Sequence, residues 1–401
     1  MQHRGALWVR SLVGLVLVGL VFNALASRSD FPDSLKFDPS GDPFSVVVMT
    51  MPEPQFKKVV AVRGQKITLK DTKLSYDGKD VPLKEIHLHG NTTLNFERKS
   101  FSVDAEEKIR ICGAGCKPMS AFYLISLSMD KNYFHNRLCF DLLNSLNLFP
   151  LQYKFVEVRI NASSQGVYLI LQRPQDWSKK IADSPFILRR GANHAVAKEK
   201  TRKDLSKDSV RRYRQQFADI YKVIHQYSGK VLYERLNELM HLDDYMRWMA
   251  FNYVVKNGDY SDELYFYIDP GTQRYKIIPW DYDDVFKKEP HEGMDVWKSR
   301  MNHSSLVFSS EDNLDLAIAK DGYLYDKYIG HLASVIRELD VERVEAVLEG
   351  IYRDLSPLYQ SEEILTASGR DGYRTSLERL RAELVMVNQY FDFTRRTVPV
   401  N

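Results

Sequence analysis

The chain has 401 residues, of which 44% are hydrophobic and 12% aromatic, enough to bury one large core or two lobes. Its net charge of +3 is small for that length, and no basic stripe carries interleaved aromatics, which makes nucleic acid a poor candidate partner. There is no internal repeat or low-complexity tract.

At the N-terminus, Arg4 and Arg10 precede an apolar run from Leu12 to Phe22, and Ala24-Leu25-Ala26 offers a small-x-small cleavage site before Ser27. Residues 1–26 therefore read as an export signal, with an uncleaved anchor over residues 7–26 as the alternative, and 27–44 as a linker. Beyond them the chain is expected on the far side of a membrane. Strands are expected at 45–49, 66–69, 85–89, 100–103, 122–125, 156–160, 167–171 and 186–189, giving a β-rich lobe over about 45–190. The lobe contains Cys112 and Cys116, which flank Gly-Ala-Gly, and export makes a small-loop disulfide between them plausible. A zinc site from these cysteines with His87 and His89 is the alternative. Cys139 lies in a helical pattern and reads as a small buried hydrophobe.

The mixed charge run from Lys198 to Arg214 reads as a solvated loop and helix face, or else as a docking surface for an acidic partner. Helical spacing then takes over, first at Tyr213, Phe217, Ile220 and Tyr221, then at Met246, Met249, Ala250 and Tyr253 behind Asp243 as candidate N-cap. Further helices are expected near 324–339, 341–352 and 373–391, so a helical lobe spans about 205–395. The fold class is α+β.

Within that lobe, Leu264–Asp269, a Pro270-Gly271 turn and Arg274–Ile278 read as a β-hairpin. It returns the chain so that Asn257-Gly258-Asp259 and Pro279-Trp280-Asp281-Tyr282-Asp283-Asp284 meet at one end. Four aspartates at the ends of buried elements are costly unless they have work, and hard oxygen ligands suit Mg²⁺ or Mn²⁺. Asp283 shares a face with Asp281 if the chain stays extended, whereas Asp284 reads as a solvated turn residue. A helix N-cap and loop carboxylates are the bland alternative.

Asp259, Glu263 and Pro279-Trp280-Asp281-Tyr282-Asp283, in that order around a hairpin, resemble the CotH kinase family of spore-coat-type atypical protein kinases. Asn136-Arg137-Leu138, Val156–Ile160 with Asn161, and Gly166–Ile170 are similar to the family's middle section. His89-Gly90-Asn91-Thr92-Thr93 and Lys99-Ser100-Phe101 resemble its Arg-Gly-Asn-Ser-Ser and Lys-Ser-Tyr elements. The resemblance covers about residues 45–395 and implies a two-lobed, protein-kinase-like fold.

It also implies roles. Lys99 takes the phosphate-contacting and catalytic lysine position, His89 and Asn91 the nucleotide-binding turn, and Gln172 the place of a glutamate partner to the lysine. Asp259 becomes the catalytic base or a second ligand, while Asp281, Asp283 and Glu263 hold the metal. Three positions depart from the family: His89 replaces Arg, Gln172 replaces Glu and Glu263 replaces Asn. The expected activity is an exported kinase moving phosphate from ATP, with Mg²⁺ or Mn²⁺, to Ser, Thr or Tyr of an extracytoplasmic or coat protein. A degenerate kinase-like scaffold is the alternative, and a metal-dependent hydrolase on the same aspartates is a third reading.

Overall fold

Apolar residues alternate with polar ones along the N-terminal half, and that period of two builds a sheet with a core on each face. The computed structural model describes residues 35–40, 42–112, 115–130, 133–372 and 375–399. The expected export signal or anchor lies outside them. Eight strands, β1 (Ser45–Thr50), β2 (Lys73–Tyr76), β3 (Lys79–Asp80), β4 (Leu83–His89), β5 (Ser100–Ile109), β6 (Met119–Ile125), β7 (Tyr153–Ile160) and β8 (Ser163–Gln172), form one sheet in the order β3-β2-β1-β7-β8-β6-β5-β4. Among the described pairs only β1 and β7 run parallel. On one face Val47, Leu88, Phe101, Phe122 and Ile170 pack with Val59 of helix α1 (Glu53–Ala61). On the other, Tyr123, Phe155, Leu169 and Leu171 join the larger core shared with the helices.

A second sheet contains β9 (Phe186–Arg190), β10 (Val196–Thr201), β11 (Leu264–Ile268) and β12 (Tyr275–Pro279), in the order β10-β9-β11-β12. Two expectations change here. Residues 186–189 do not belong with the first sheet: β9 pairs with β11, Tyr265 opposite Arg189, because Ile187 and Leu188 bury against the helical core. The charge run from Lys198 opens with a strand instead of a loop, and β10 is exposed along most of its length. Residues 66–69 form no strand, only a single bridge from Thr68 to His87.

The remaining helices are α2 (His135–Ser145), α3 (Pro174–Lys180), α4 (Lys207–Val223), α5 (Gly229–Leu239), α6 (Leu242–Val255), α7 (Met294–Arg300), α8 (Asn313–Lys320), α9 (Gly322–Glu338), α10 (Val341–Leu355), α11 (Pro357–Gln360), α12 (Glu362–Ser368) and α13 (Leu377–Thr397). Asp243 is not an N-cap: α6 starts one residue earlier, at Leu242, and the carboxylate accepts from Tyr233 Oη at 3.1 Å and lies 3.0 Å from His331 Nε2. Helix α12 lies directly on β8, where Gly166 has φ +88° and a Cβ would meet Ser368 N at 2.6 Å. The architecture is α+β, with a β-rich N-terminal half and a helical C-terminal half.

Cys112 and Cys116 are disulfide-bonded, Cα atoms 5.6 Å apart, and Cys139 is a buried thiol on α2. Sulfurs bonded to each other cannot ligate zinc, which removes that alternative. Among the described residues no helix is long and apolar enough to cross a membrane.

Candidate functional site

The hairpin of β11 and β12 closes in the expected register, with Leu264 opposite Pro279. Trp280 N then donates to Glu263 O at 3.0 Å, which holds both chain ends at one level. The next residue, Asp281, has φ +47°, a left-handed backbone that aspartate tolerates better than most side chains. That turn swings Tyr282 into the core, where its hydroxyl accepts from Trp248 Nε1 at 3.1 Å and its N–H donates to Asn136 Oδ1 at 2.8 Å. Asn136 opens α2 and donates its own N–H to Asp130 Oδ2 at 3.0 Å. A chain of two hydrogen bonds thus ties the acidic hairpin to the loop that follows β6.

One cavity of about 70 Å³ lies at this junction, between the large-core face of the first sheet and the hairpin end. Its polar lining is His89, Ser100, Ser128, Asp130, Asn136, Asp281 and Asp283, and Leu169, Leu171 and Trp280 form an apolar side. Asp130 is 1% exposed, and its Oδ1 has no hydrogen-bond partner; His135 Nδ1 stands 3.7 Å away. An orphaned buried carboxylate oxygen is expensive, and beside Asp281 and Asp283 it is more so. Burial pushes all three carboxyl groups up; Asp130 adds to the effect on Asp281 and Asp283, while Arg189 offsets part of it at Asp281 and His135 part of it at Asp130. Such a set favours a cation.

The other expected residues separate into those near this cavity and those turned away from it. Asp259 stands at the rim, its side chain 45% exposed and not part of the lining, 4.0 Å from His291 Nδ1, which lies 3.3 Å from Glu311 Oε1. Burial and the neighbouring Asp262 push Asp259 up. Gly258 N donates to Asp284 O at 2.8 Å and His291 N to Gly258 O at 2.9 Å, so the Asp259 loop is braced by backbone. Asp284 pairs with Lys287 at 2.5 Å in a partly exposed turn. Glu263 does not face the cavity as a ligand. It is committed to Arg189, Nη2 to Oε2 2.6 Å, because a carboxylate this buried needs a counter-ion.

His89 lines the cavity, stacked on Tyr123 with centroids 4.0 Å apart, and burial drives its pKa down to about 3, with the charges of Lys198 and Lys66 adding to the effect. It is neutral there. Gly90 beside it has φ +100°, where a Cβ would collide with Thr93 Oγ1 at 1.8 Å. Asn91 is exposed and does not line the cavity. Lys99 is turned the other way. Strand alternation sends Ser100 into the cavity and Lys99 to the opposite face, where Nζ donates to Val62 O and Leu94 O at 2.8 Å and to Phe96 O at 2.5 Å. Burial lowers its pKa to about 8. Gln172 is no partner to it: its Oε1 accepts from Gln152 N at 3.4 Å.

Asp130, Ser128 and Arg189 were missed in the sequence, and Asn136 appeared there only as part of a resemblance. A single aspartate in Ser128-Met129-Asp130 carries no local signal of burial. Among the described residues no three His, Cys, Asp or Glu side chains are arranged to hold a metal alone. Mg²⁺ commonly takes one or two carboxylates and completes its shell with water and phosphate.

A family model described as CotH kinase protein matches residues 86–385, three quarters of the chain. The chain belongs to the CotH kinase family. Inner spore coat protein H of Bacillus subtilis (strain 168) is 21% identical over 288 residues, covering 68% of this chain and 76% of that protein. Among solved structures, the proinflammatory kinase CtkA of Helicobacter pylori matches over 72% of this chain and 94% of its own, with 10% identity and a TM-score of 0.33. The HipA, HipB and operator DNA complex of Shewanella oneidensis MR-1 matches over 95% and 73%, with 13% identity and a TM-score of 0.30. Neither of these two likenesses is strong enough to carry an argument. For a CotH kinase the acidic hairpin stands where the family resemblance put it; Lys99, Gln172, Asn91 and Glu263 have other surroundings than the resemblance implied.

Proposed function

We propose that this CotH kinase transfers the γ-phosphoryl group of ATP to a hydroxyl of a protein acceptor, with Asp281 and Asp283 holding a divalent cation whose charge also offsets the buried Asp130, and Asp259 taking the acceptor's proton. The observation that carries the reading is the orphaned, buried Asp130 Oδ1 in one cavity with Asp281 and Asp283. Bound Mg²⁺ or Mn²⁺ would offset the triphosphate charge. The acceptor oxygen attacks phosphorus, the bond to the β–γ bridging oxygen breaks, ADP leaves, and Asp259 accepts the proton. Its partly exposed position, facing His291, suits a base that must meet a macromolecular acceptor and then pass the proton on. Asn136 and the left-handed Asp281 fix the ligand segment before substrate arrives.

At about 70 Å³ the cavity fits a cation with its waters or a phosphoryl group, so a whole nucleotide requires its two sides to separate. Export belongs to the same proposal, supported by the pattern in residues 1–26 and by a relative named as a spore coat protein. The scaffold reading has a specific observation in its favour: the lysine expected at phosphate is sealed on the far face. Titration calorimetry with Mn²⁺, then with ATP, separates the two. Metal binding that depends on Asp281 and releases protons supports the kinase; no heat with either addition leaves the scaffold.

A further inference from the structure

Among the described residues the second sheet ends in a strand paired on one side only. Its two faces are covered, Trp177 of α3 packing on Tyr267 at 5.4 Å and Phe217 of α4 on Phe266 at 5.2 Å. Strand β10 pairs with β9 and, among the described residues, with no other strand. Its outer edge therefore offers a row of backbone donors and acceptors. Val196 at the start is 42% exposed, an apolar foothold.

The strand carries two lysines and one carboxylate, and the carboxylate is already paired. Glu199 points to α4, where Arg214 Nε meets its carboxylate at 2.8 Å. Lys198 and Lys200 fall on the opposite face. Lys200 lies 3.8 Å from Asp176, a carboxylate already held by Arg173 at 2.9 Å and Lys180 at 3.4 Å; Arg173 also pairs with Asp104, so three cations meet two anions there. Lys198 stands opposite Arg189, the residue that holds Glu263 at the level of the acidic hairpin.

We propose that the free edge of β10 docks an acidic, extended segment of the protein acceptor as a fifth strand, with Lys198 and Lys200 reading its carboxylates. The proposal rests on the kinase reading and names its substrate class. Main-chain pairing supplies affinity and the lysines supply selectivity. Geometry also fixes a spacing. From an added strand to β12 is four inter-strand steps of about 4.8 Å, roughly 19 Å, which an extended chain spans in about six residues. The acceptor hydroxyl should therefore lie some six residues beyond the paired segment, on the side of Val196.

Fluorescence anisotropy with a labelled peptide of alternating Glu and Val residues, without nucleotide or metal, tests docking apart from catalysis. Wild-type protein should bind it, the Lys198→Glu, Lys200→Glu double variant should bind at least about tenfold more weakly, and N-methylation of alternate peptide residues should abolish binding. Equal binding of the peptide and of a Lys-Val counterpart, or indifference to N-methylation, overturns the proposal. If the charge reversals unfold the protein by circular dichroism, Lys198→Ala and Lys200→Ala replace them, with the same expected direction. Loss of phosphate transfer with binding intact sinks only the kinase reading; transfer to free serine with no peptide binding sinks only the docking edge.

Discussion

Lys99 and Ser100 are neighbours in the chain and meet opposite worlds. Ser100 opens into a cavity that gathers carboxylates, whereas Lys99, just before the strand and turned to its other face, has its three ammonium protons taken by backbone carbonyls. One face is under-satisfied and the other complete. A short motif locates both residues equally well; the direction in which each points comes from the parity of the strand.

The comparison is broken most directly at Asp259. If the incomplete face is catalytic, Asp259→Asn should lower phosphate transfer by about 10²–10⁴ while leaving metal binding intact, read by rate assay and calorimetry. Equal rates for both proteins would remove the base. Asp281→Asn keeps a side chain that tolerates the left-handed backbone and removes the charge, so Mn²⁺ affinity should fall by about 100-fold or more while the metal-free melting temperature does not fall. A fall in melting temperature with metal binding retained would make Asp281 structural.

Lys99→Met tests the complete face. It strips the donor from one buried and two partly buried carbonyls, and urea unfolding should show a loss of about 2 kcal/mol, with Mn²⁺ affinity changed little. A stable variant that cannot transfer phosphate would restore the lysine to the site. Acidity provides a subtler probe. The folded pKa values of Asp130, Asp281 and Asp283 lie above their unfolded values, so their contribution to metal-free stability is full below about pH 4 and is lost as pH rises through the raised values. Metal-free melting temperature should fall between about pH 5 and about pH 8, and Mn²⁺ or Asp283→Asn should flatten that slope. Smallest of all is Gln172→Glu. With Lys99 engaged elsewhere, the new carboxylate gains no partner and activity should not rise; a rise would mean that a second arrangement of the lysine exists.

The hairpin was legible because alternation, a Pro-Gly turn and clustered aspartates agree over consecutive residues. Most first-sheet strands were legible for the same reason. Strand β10 was not: Val-Ala-Lys-Glu-Lys-Thr has no buried face, and a strand held by one neighbour and a helix contact reads as a loop. Asp130 was invisible because the hairpin residues that share its cavity, Trp280, Asp281 and Asp283, are distant in sequence. Glu263 was read as a ligand since its counter-ion, Arg189, sits on a strand that seemed to belong to the other half of the molecule.

The left-handed backbone at Asp281 also constrains what can inherit this position. Of asparagine, glycine and aspartate, which all fit the conformation, only aspartate brings a charge. If Asp281 holds the metal as proposed, one substitution that keeps the backbone would silence the chemistry, and a lineage would pass from enzyme to inert assembly component without crossing a stability barrier.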